Sequence, residues 1–126
     1  MKAFRTKAFA KWANSEGLDD GALSSAIEEM QQGLIDARLG GDVVKKRVAL
    51  PGRGKRGGAR TLVVFRQGDK AFFVFGFAKN EQANIGKDEL KALKLLAKEL
   101  LSYSEKSLAM AIGSGELAEI EVTNDG

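Results

Sequence analysis

Between Val43 and Gly68 the chain carries eight cations and no acid: Lys45, Lys46, Arg47, Arg53, Lys55, Arg56, Arg60 and Arg66. The remainder holds twelve cations against seventeen acids, so a net charge of only +3 hides a strongly segregated one. Such segregation creates a local positive field suited to a polyanion. The densest part is "LPGRGKRGGAR", Leu50 to Arg60, with four cations and four glycines in eleven residues. Arginine offers a planar fork to phosphate oxygens and lysine a point charge. Glycine lets the backbone approach a ligand closely. The chemistry these residues can do is therefore the holding of phosphates. Histidine and cysteine are absent. That removes the commonest general base and the commonest metal ligand, along with thiolate nucleophiles and disulfides. No metal and no cofactor is expected.

Two phosphate motifs fail on inspection. Gly52, Gly54 and Gly57 satisfy G-x-G-x-x-G, but a strand follows instead of a helix, and no acid lies near Phe72. Gly54-Lys55 is followed by Arg56, where the NTPase loop needs Ser or Thr. What remains is a cationic loop between two antiparallel strands. Lys45 and Arg47 are two apart and share a face of their strand. If that strand pairs with the one opened by Arg60, Arg47 and Arg60 meet at the mouth of the loop. A basic hairpin is also a common way to protect a solvated sheet edge. A second stretch, "AKNE", Ala78 to Glu81, admits two readings. It places Lys79 and Asn80 beside the hairpin, or it uses Asn80 or Glu81 as turn residues.

The elements that must position these residues follow from spacing. "MKAFRT" suits a short opening strand. Thr6 can cap a helix ending near Gly17, with Phe9 and Trp12 on its core side. Asp19 or Asp20 can cap a second, whose apolar stripe is Leu23, Ile27, Met30 and Leu34, ending about Gly33. Strands are expected at Val43–Ala49, Arg60–Gln67 and Lys70–Lys79, the last apolar on both parities and so covered on both faces. "QGD" links the latter two as an antiparallel hairpin. "KDELKALKLLAKELL" is a helix, with Leu90, Leu93, Leu96 or Ala97, and Leu100 inward. Ser104 can cap a further helix stopped by Gly113, and "ELAEIEV" can add an edge strand.

At 126 residues, with 44% apolar and 29% charged, the chain suits one globular domain, here 1–126 with 102–126 as a C-terminal extension. No apolar run approaches the roughly 20 residues that span a bilayer. The charged N-terminus lacks an apolar signal core. A cytoplasmic protein with no membrane partner is expected.

The order of two helices, a basic β-meander and a helix, with "KKRVALPGRGKRGGARTLVVF" and "FGFAKNEQANI" in sequence, resembles the RelE/ParE toxin superfamily. It looks closest to the HigB-like branch of RelE toxins in type II toxin–antitoxin systems. The resemblance runs over about Lys2 to Leu101. It implies an α+β fold, an N-terminal helical hairpin on an antiparallel β-sheet with a C-terminal helix. It implies a ribosome-dependent mRNA endoribonuclease without a metal, acting in the 30S A site and neutralised by a helix-turn-helix antitoxin. In that mechanism the 2′-hydroxyl attacks its own phosphate. Lys45 and Arg47 match two basic residues spaced two apart on a RelE strand, and Arg60 matches an arginine after the glycine turn. Lys79 keeps a lysine of the RelE pattern, while Asn80 replaces the cation that follows it. The late RelE tyrosine has no counterpart, since Tyr103 lies beyond the aligned site.

With no histidine, cations supply electrostatic stabilisation. A lysine crowded by like charges can serve as base, a part open to Lys45 or Lys46. Glu81 is an alternative base, and Asn80 can position substrate. Lys46, Arg53, Lys55, Arg56 and Arg66 are assigned to RNA binding. A ParE-like gyrase inhibitor and a non-catalytic nucleic-acid-binding module remain as alternatives.

Overall fold

The computed structural model describes residues 1–50, 52, 54–78 and 85–122, with backbone alone for 54–57 and 78. The chain runs β1 (Lys2–Thr6), α1 (Lys7–Glu16), α2 (Asp20–Gln31), β2 (Ala37–Gly40), β3 (Val43–Leu50) and β4 (Gly54–Phe65). It continues through β5 (Lys70–Ala78), α3 (Lys87–Leu101), α4 (Glu105–Ser114) and β6 (Leu117–Ile120). One six-stranded sheet has the order β2-β3-β4-β5-β1-β6. The fold is α+β, as expected, but two features differ. β1 runs parallel to β5, so the sheet is mixed and not wholly antiparallel. The helices also form two layers, α1 and α2 on one face and α3 and α4 on the other.

Local chemistry sets the helix ends. Thr6 accepts from the Phe9 N–H, Asp19 from Ala22 and Ser104 from Ser107, each meeting a donor that the first helical turn leaves unpaired. Gly17 ends α1 at φ +76, a left-handed conformation that suits a residue without Cβ. α4 runs through Gly113 to Ser114. The stop is Gly115 at φ +84, whose N–H meets the Ala111 and Ile112 carbonyls. α2 stops at Gln31, which leaves Leu34 outside the stripe and 54% exposed.

Both sheet faces are covered for most of their length. Phe9, Leu23, Ile27 and Met30 pack against Val44, Val48, Val63 and Phe73 on one side. Ala97, Leu100, Leu108 and Ala111 pack against Phe4, Val43, Val64 and Phe72 on the other. β1 is interior because its neighbours Ala3 and Phe4 serve opposite cores. Phe4 stacks on Phe72 with centroids 5.1 Å apart.

β5 explains its own two-sided apolarity. Val64 pairs with Phe72 and Val63 with Phe73, but Leu62 pairs with Phe75, so a bulge sits at Val74. One extra residue reverses side-chain parity. Phe73 points into the α1 core, 5.3 Å from the Phe9 ring centroid. Phe75 and Phe77 point to the opposite face, with centroids 6.2 Å apart. Gly76 between them faces α1, where a Cβ would lie 2.3 Å from the Trp12 ring. Gly76→Val is therefore expected to cost about 2 kcal/mol, the scale of core overpacking. Urea unfolding monitored by Trp12 fluorescence, the chain's only tryptophan, measures it.

Candidate nucleic-acid interface

The hairpin β3–β4 is more regular than its glycines suggest. The expected loop from Leu50 to Arg60 shrinks, because β4 begins at Gly54 and Leu50 pairs with it across a register shift after Val48. Antiparallel pairing satisfies the backbone donors and acceptors that an open loop would leave to water. Gly52 takes φ +75 in the short connection. Thr61 reinforces the hairpin from the other face, donating its hydroxyl to the Lys46 carbonyl at 2.8 Å in a buried bond.

The register sorts the candidate residues. Arg47 lies opposite Arg60, and Arg60 opposite Phe77. One step along, Lys45 lies opposite Leu62, and Leu62 opposite Phe75. Two cross-strand rows thus place three cations and two aromatic rings on one face. With strands about 4.8 Å apart and a rise of about 3.3 Å per residue, the three cationic Cα positions fall within about 8 Å of one another. Like charges directly opposite in a sheet are destabilising, so this face costs stability unless an anion compensates.

One compensating anion is built in. Asp36, just before β2, accepts from the Arg47 Nε at 2.8 Å and from its backbone N–H at 2.7 Å. Burial alone would raise the Asp36 carboxyl. Those two bonds and the charges of Arg47 and Lys46 override it and hold the group below its ordinary 3.8. A depressed carboxyl stabilises the fold above its unfolded value, and that contribution fades as pH falls through the folded value. Urea midpoints of the wild type and Asp36→Asn are thus expected to differ at about pH 6 and to converge as the pH falls through the lowered Asp36 value.

Arg60 has no such partner among the described residues. It is half-buried, and its Nη1 is shielded from solvent and meets no hydrogen-bond acceptor among the described residues. A buried donor left unpaired costs about 1–3 kcal/mol, more when charged. Lys45 is half-buried and makes no ion pair among the described residues.

One assignment to RNA binding is corrected. Lys46 points to the opposite face and is buried. Its Nζ sits 2.7 Å from Glu29 of α2 and donates to the Leu34 carbonyl at 2.9 Å. Strand alternation put it there, one residue out of phase with Lys45 and Arg47. Arg66 lies past the far end of β4, about 20 Å from Arg60 by strand rise, where it pairs with Asp42 at 3.1 Å. Arg53, Lys79, Asn80 and Glu81 lie outside the described residues. Lys55 and Arg56 contribute described backbone to β4 but no described side chain.

Sequence reasoning missed two features of this face. Phe75 and Phe77 join the cations only because of the bulge, which no spacing rule announces. On α3, Lys87, Lys91, Lys94 and Lys98 recur at intervals of four, three and four, which puts them on one exposed side of the helix. That signal was present in the sequence beside the leucine stripe. Lys94 lies over the β2–β3 turn, where a Cβ on Gly41 would be 2.9 Å from its Cγ. Lys94, Lys98 and Arg66 border a cavity of about 390 Å³. No helix among the described residues is long and apolar enough to cross a membrane.

Comparison with known proteins identifies a family. The profile of the family described as "RelE toxin of RelE / RelB toxin-antitoxin system" covers residues 1–120. No curated protein matches. The match takes in all six strands of the sheet and both helical layers, including the hairpin that sets Arg47 against Arg60. The chain belongs to the RelE family of toxins from toxin–antitoxin systems.

Proposed function

We propose that the chain cleaves mRNA on the ribosome and so arrests translation, and that a cognate helix-turn-helix antitoxin neutralises it. The observation that carries this reading is the Arg47–Arg60 pair, with an Arg60 Nη1 that no described residue pairs. A phosphate placed across the two arginines would relieve their repulsion and complete that donor.

The reaction follows from the RNA itself. The 2′-oxygen loses its proton and attacks the adjacent phosphorus, and the 5′-oxygen leaves with a proton. The products are a 2′,3′-cyclic phosphate and a 5′-hydroxyl. Charge builds on the non-bridging oxygens in the phosphorane, so donors fixed in advance are worth most there. Arg60 is the residue assigned to those oxygens. Arg47, held by Asp36, keeps its remaining guanidinium donors for the same phosphate. Lys45 stands on the same face for proton transfer. Lys79, from the family pattern, and Glu81 stay candidates for the acid–base roles, and Asn80 for positioning the substrate. The lysine row on α3 adds phosphate contacts, each steepening the salt dependence of binding.

The test is inducible expression of the wild type and of Lys45→Ala/Arg60→Ala, with transcript ends mapped and DNA gyrase assayed in the same cells. Growth arrest with new codon-phased ends in the wild type alone is the expected result. Arrest with intact transcripts and damaged DNA would instead assign the chain to gyrase poisoning. No arrest despite good expression would reduce it to a nucleic-acid-binding module.

A further inference from the structure

Beside the cationic rows the sheet carries an apolar cavity of about 280 Å³, lined by Leu62, Phe75, Ile85, Leu93 and Leu96, with Glu89 as the one charged residue among the described residues that line it. Phe75 is 47% exposed, although it lies mid-strand between two covered cores. Resting on the nuclease reading above, we infer that this cavity is a nucleobase subsite, with Phe75 as its stacking platform and Glu89 as the residue that selects the base.

Three observations converge. The first is reach. Lys45 and Phe75 lie in the same cross-strand row with only Leu62 between, so they are two strand spacings, about 10 Å, apart. A nucleotide joins its phosphate to its base through one ribose, a span of this order. The second is chemistry. An aromatic face open to solvent next to backbone-neutralising cations is the recurring means of holding single-stranded RNA. An apolar wall suits the faces of a base and not its phosphate. The third is Glu89. It lies in the first turn of α3, exposed, and makes no hydrogen bond or ion pair with a described residue. An ionised carboxylate only accepts hydrogen bonds. Adenine, cytosine and guanine each present an exocyclic amino group to it. Uracil presents carbonyls on both sides of its single N–H and is disfavoured there. Glu89 is thus a specificity-determining residue, and Phe75 a binding residue.

Two measurements test this. In cells, the base composition around mapped cleavage ends is compared for the wild type and Glu89→Gln. The expected result is uracil depletion at one position near the cut, lost in the variant, whose amide can donate to a uracil carbonyl. In vitro, binding of a short RNA with 2′-O-methyl riboses is measured for Phe75→Leu and Phe75→Tyr. Leucine keeps the apolar bulk without the π-face and is expected to weaken binding roughly tenfold, the scale of one stacked base. Tyrosine is expected to bind within about twofold of the wild type, since it keeps that π-face. Circular dichroism confirms that the variants fold. An identical base profile in Glu89→Gln, or undiminished binding by Phe75→Leu, overturns the inference. So does a Phe75→Leu protein that binds RNA normally but escapes its antitoxin, since the cavity would then hold a protein side chain. If the wild type yields no ends at all, the nuclease reading fails, while the binding measurement still decides whether the cavity takes a base.

Discussion

Arg60→Ala is expected to slow RNA cleavage by roughly 10²–10³-fold, the loss typical when one preorganised donor to a developing oxyanion is removed. Growth arrest on induction should vanish with it. Stability should not fall. The alanine removes a charge that faces Arg47 across the ladder, a destabilising like-charge pair, and a buried donor that the described residues leave unpaired. Arg60→Lys separates the two parts of the argument. It keeps the charge but replaces the planar fork by a single ammonium, so it should recover only part of the rate. Thermal melting and transcript-end mapping on the three proteins check this. A fully toxic Arg60→Ala would remove Arg60 from the chemistry. A loss of toxicity accompanied by a large drop in melting temperature would make it structural.

Lys46→Ala is expected to act in the opposite way, destabilising the fold without touching the RNA face. The Lys46 side chain is 5% exposed and its ammonium lies 2.7 Å from a Glu29 oxygen. Removing one partner of a buried pair takes away the other's main charge compensation, at a cost of about 3–5 kcal/mol when both are deep. Glu29 keeps 27% of its side chain exposed, so a loss near the lower end, about 3 kcal/mol, is expected. The double variant Glu29→Gln/Lys46→Met should recover much of it, because a matched neutral pair needs no compensation for buried charge. Urea denaturation gives the values. A loss below about 1 kcal/mol for Lys46→Ala would mean that the pair behaves like a surface one.

The contrast between residues 46 and 47 shows what the sequence makes legible. Alternation alone separates Lys46 from Lys45 and Arg47, and the short turn brings Arg60 back opposite Arg47, so this cross-strand juxtaposition is readable from spacing. The helix caps at Thr6, Asp19 and Ser104 are readable for the same reason: they depend on neighbours three residues away. Long-range pairings are not. Glu29 meets Lys46 only after α2 docks on β3, and Asp36 meets Arg47 only because β2 forms a four-residue edge strand that propensity does not announce. The parallel insertion of β1 between β5 and β6 is likewise decided by two cores competing for Ala3 and Phe4. The bulge at Val74 is the most consequential of these. A run such as "AFFVFGF" reads as a strand covered on both faces. One slipped residue instead turns Phe75 outward beside the cations and sets Gly76 under Trp12.

The central claim is that Lys45, Arg47 and Arg60 converge on one ribose-phosphate backbone. Its most direct measurement is a titration of the isotopically labelled protein with a short 2′-O-methyl RNA, following side-chain resonances. The account predicts that the Arg60 and Arg47 guanidinium signals and the Lys45 ammonium shift together, saturating at one RNA concentration, and that the Lys46 signal stays put. Shifts confined to the α3 lysines, with the Arg60 guanidinium unmoved at saturation, would contradict it.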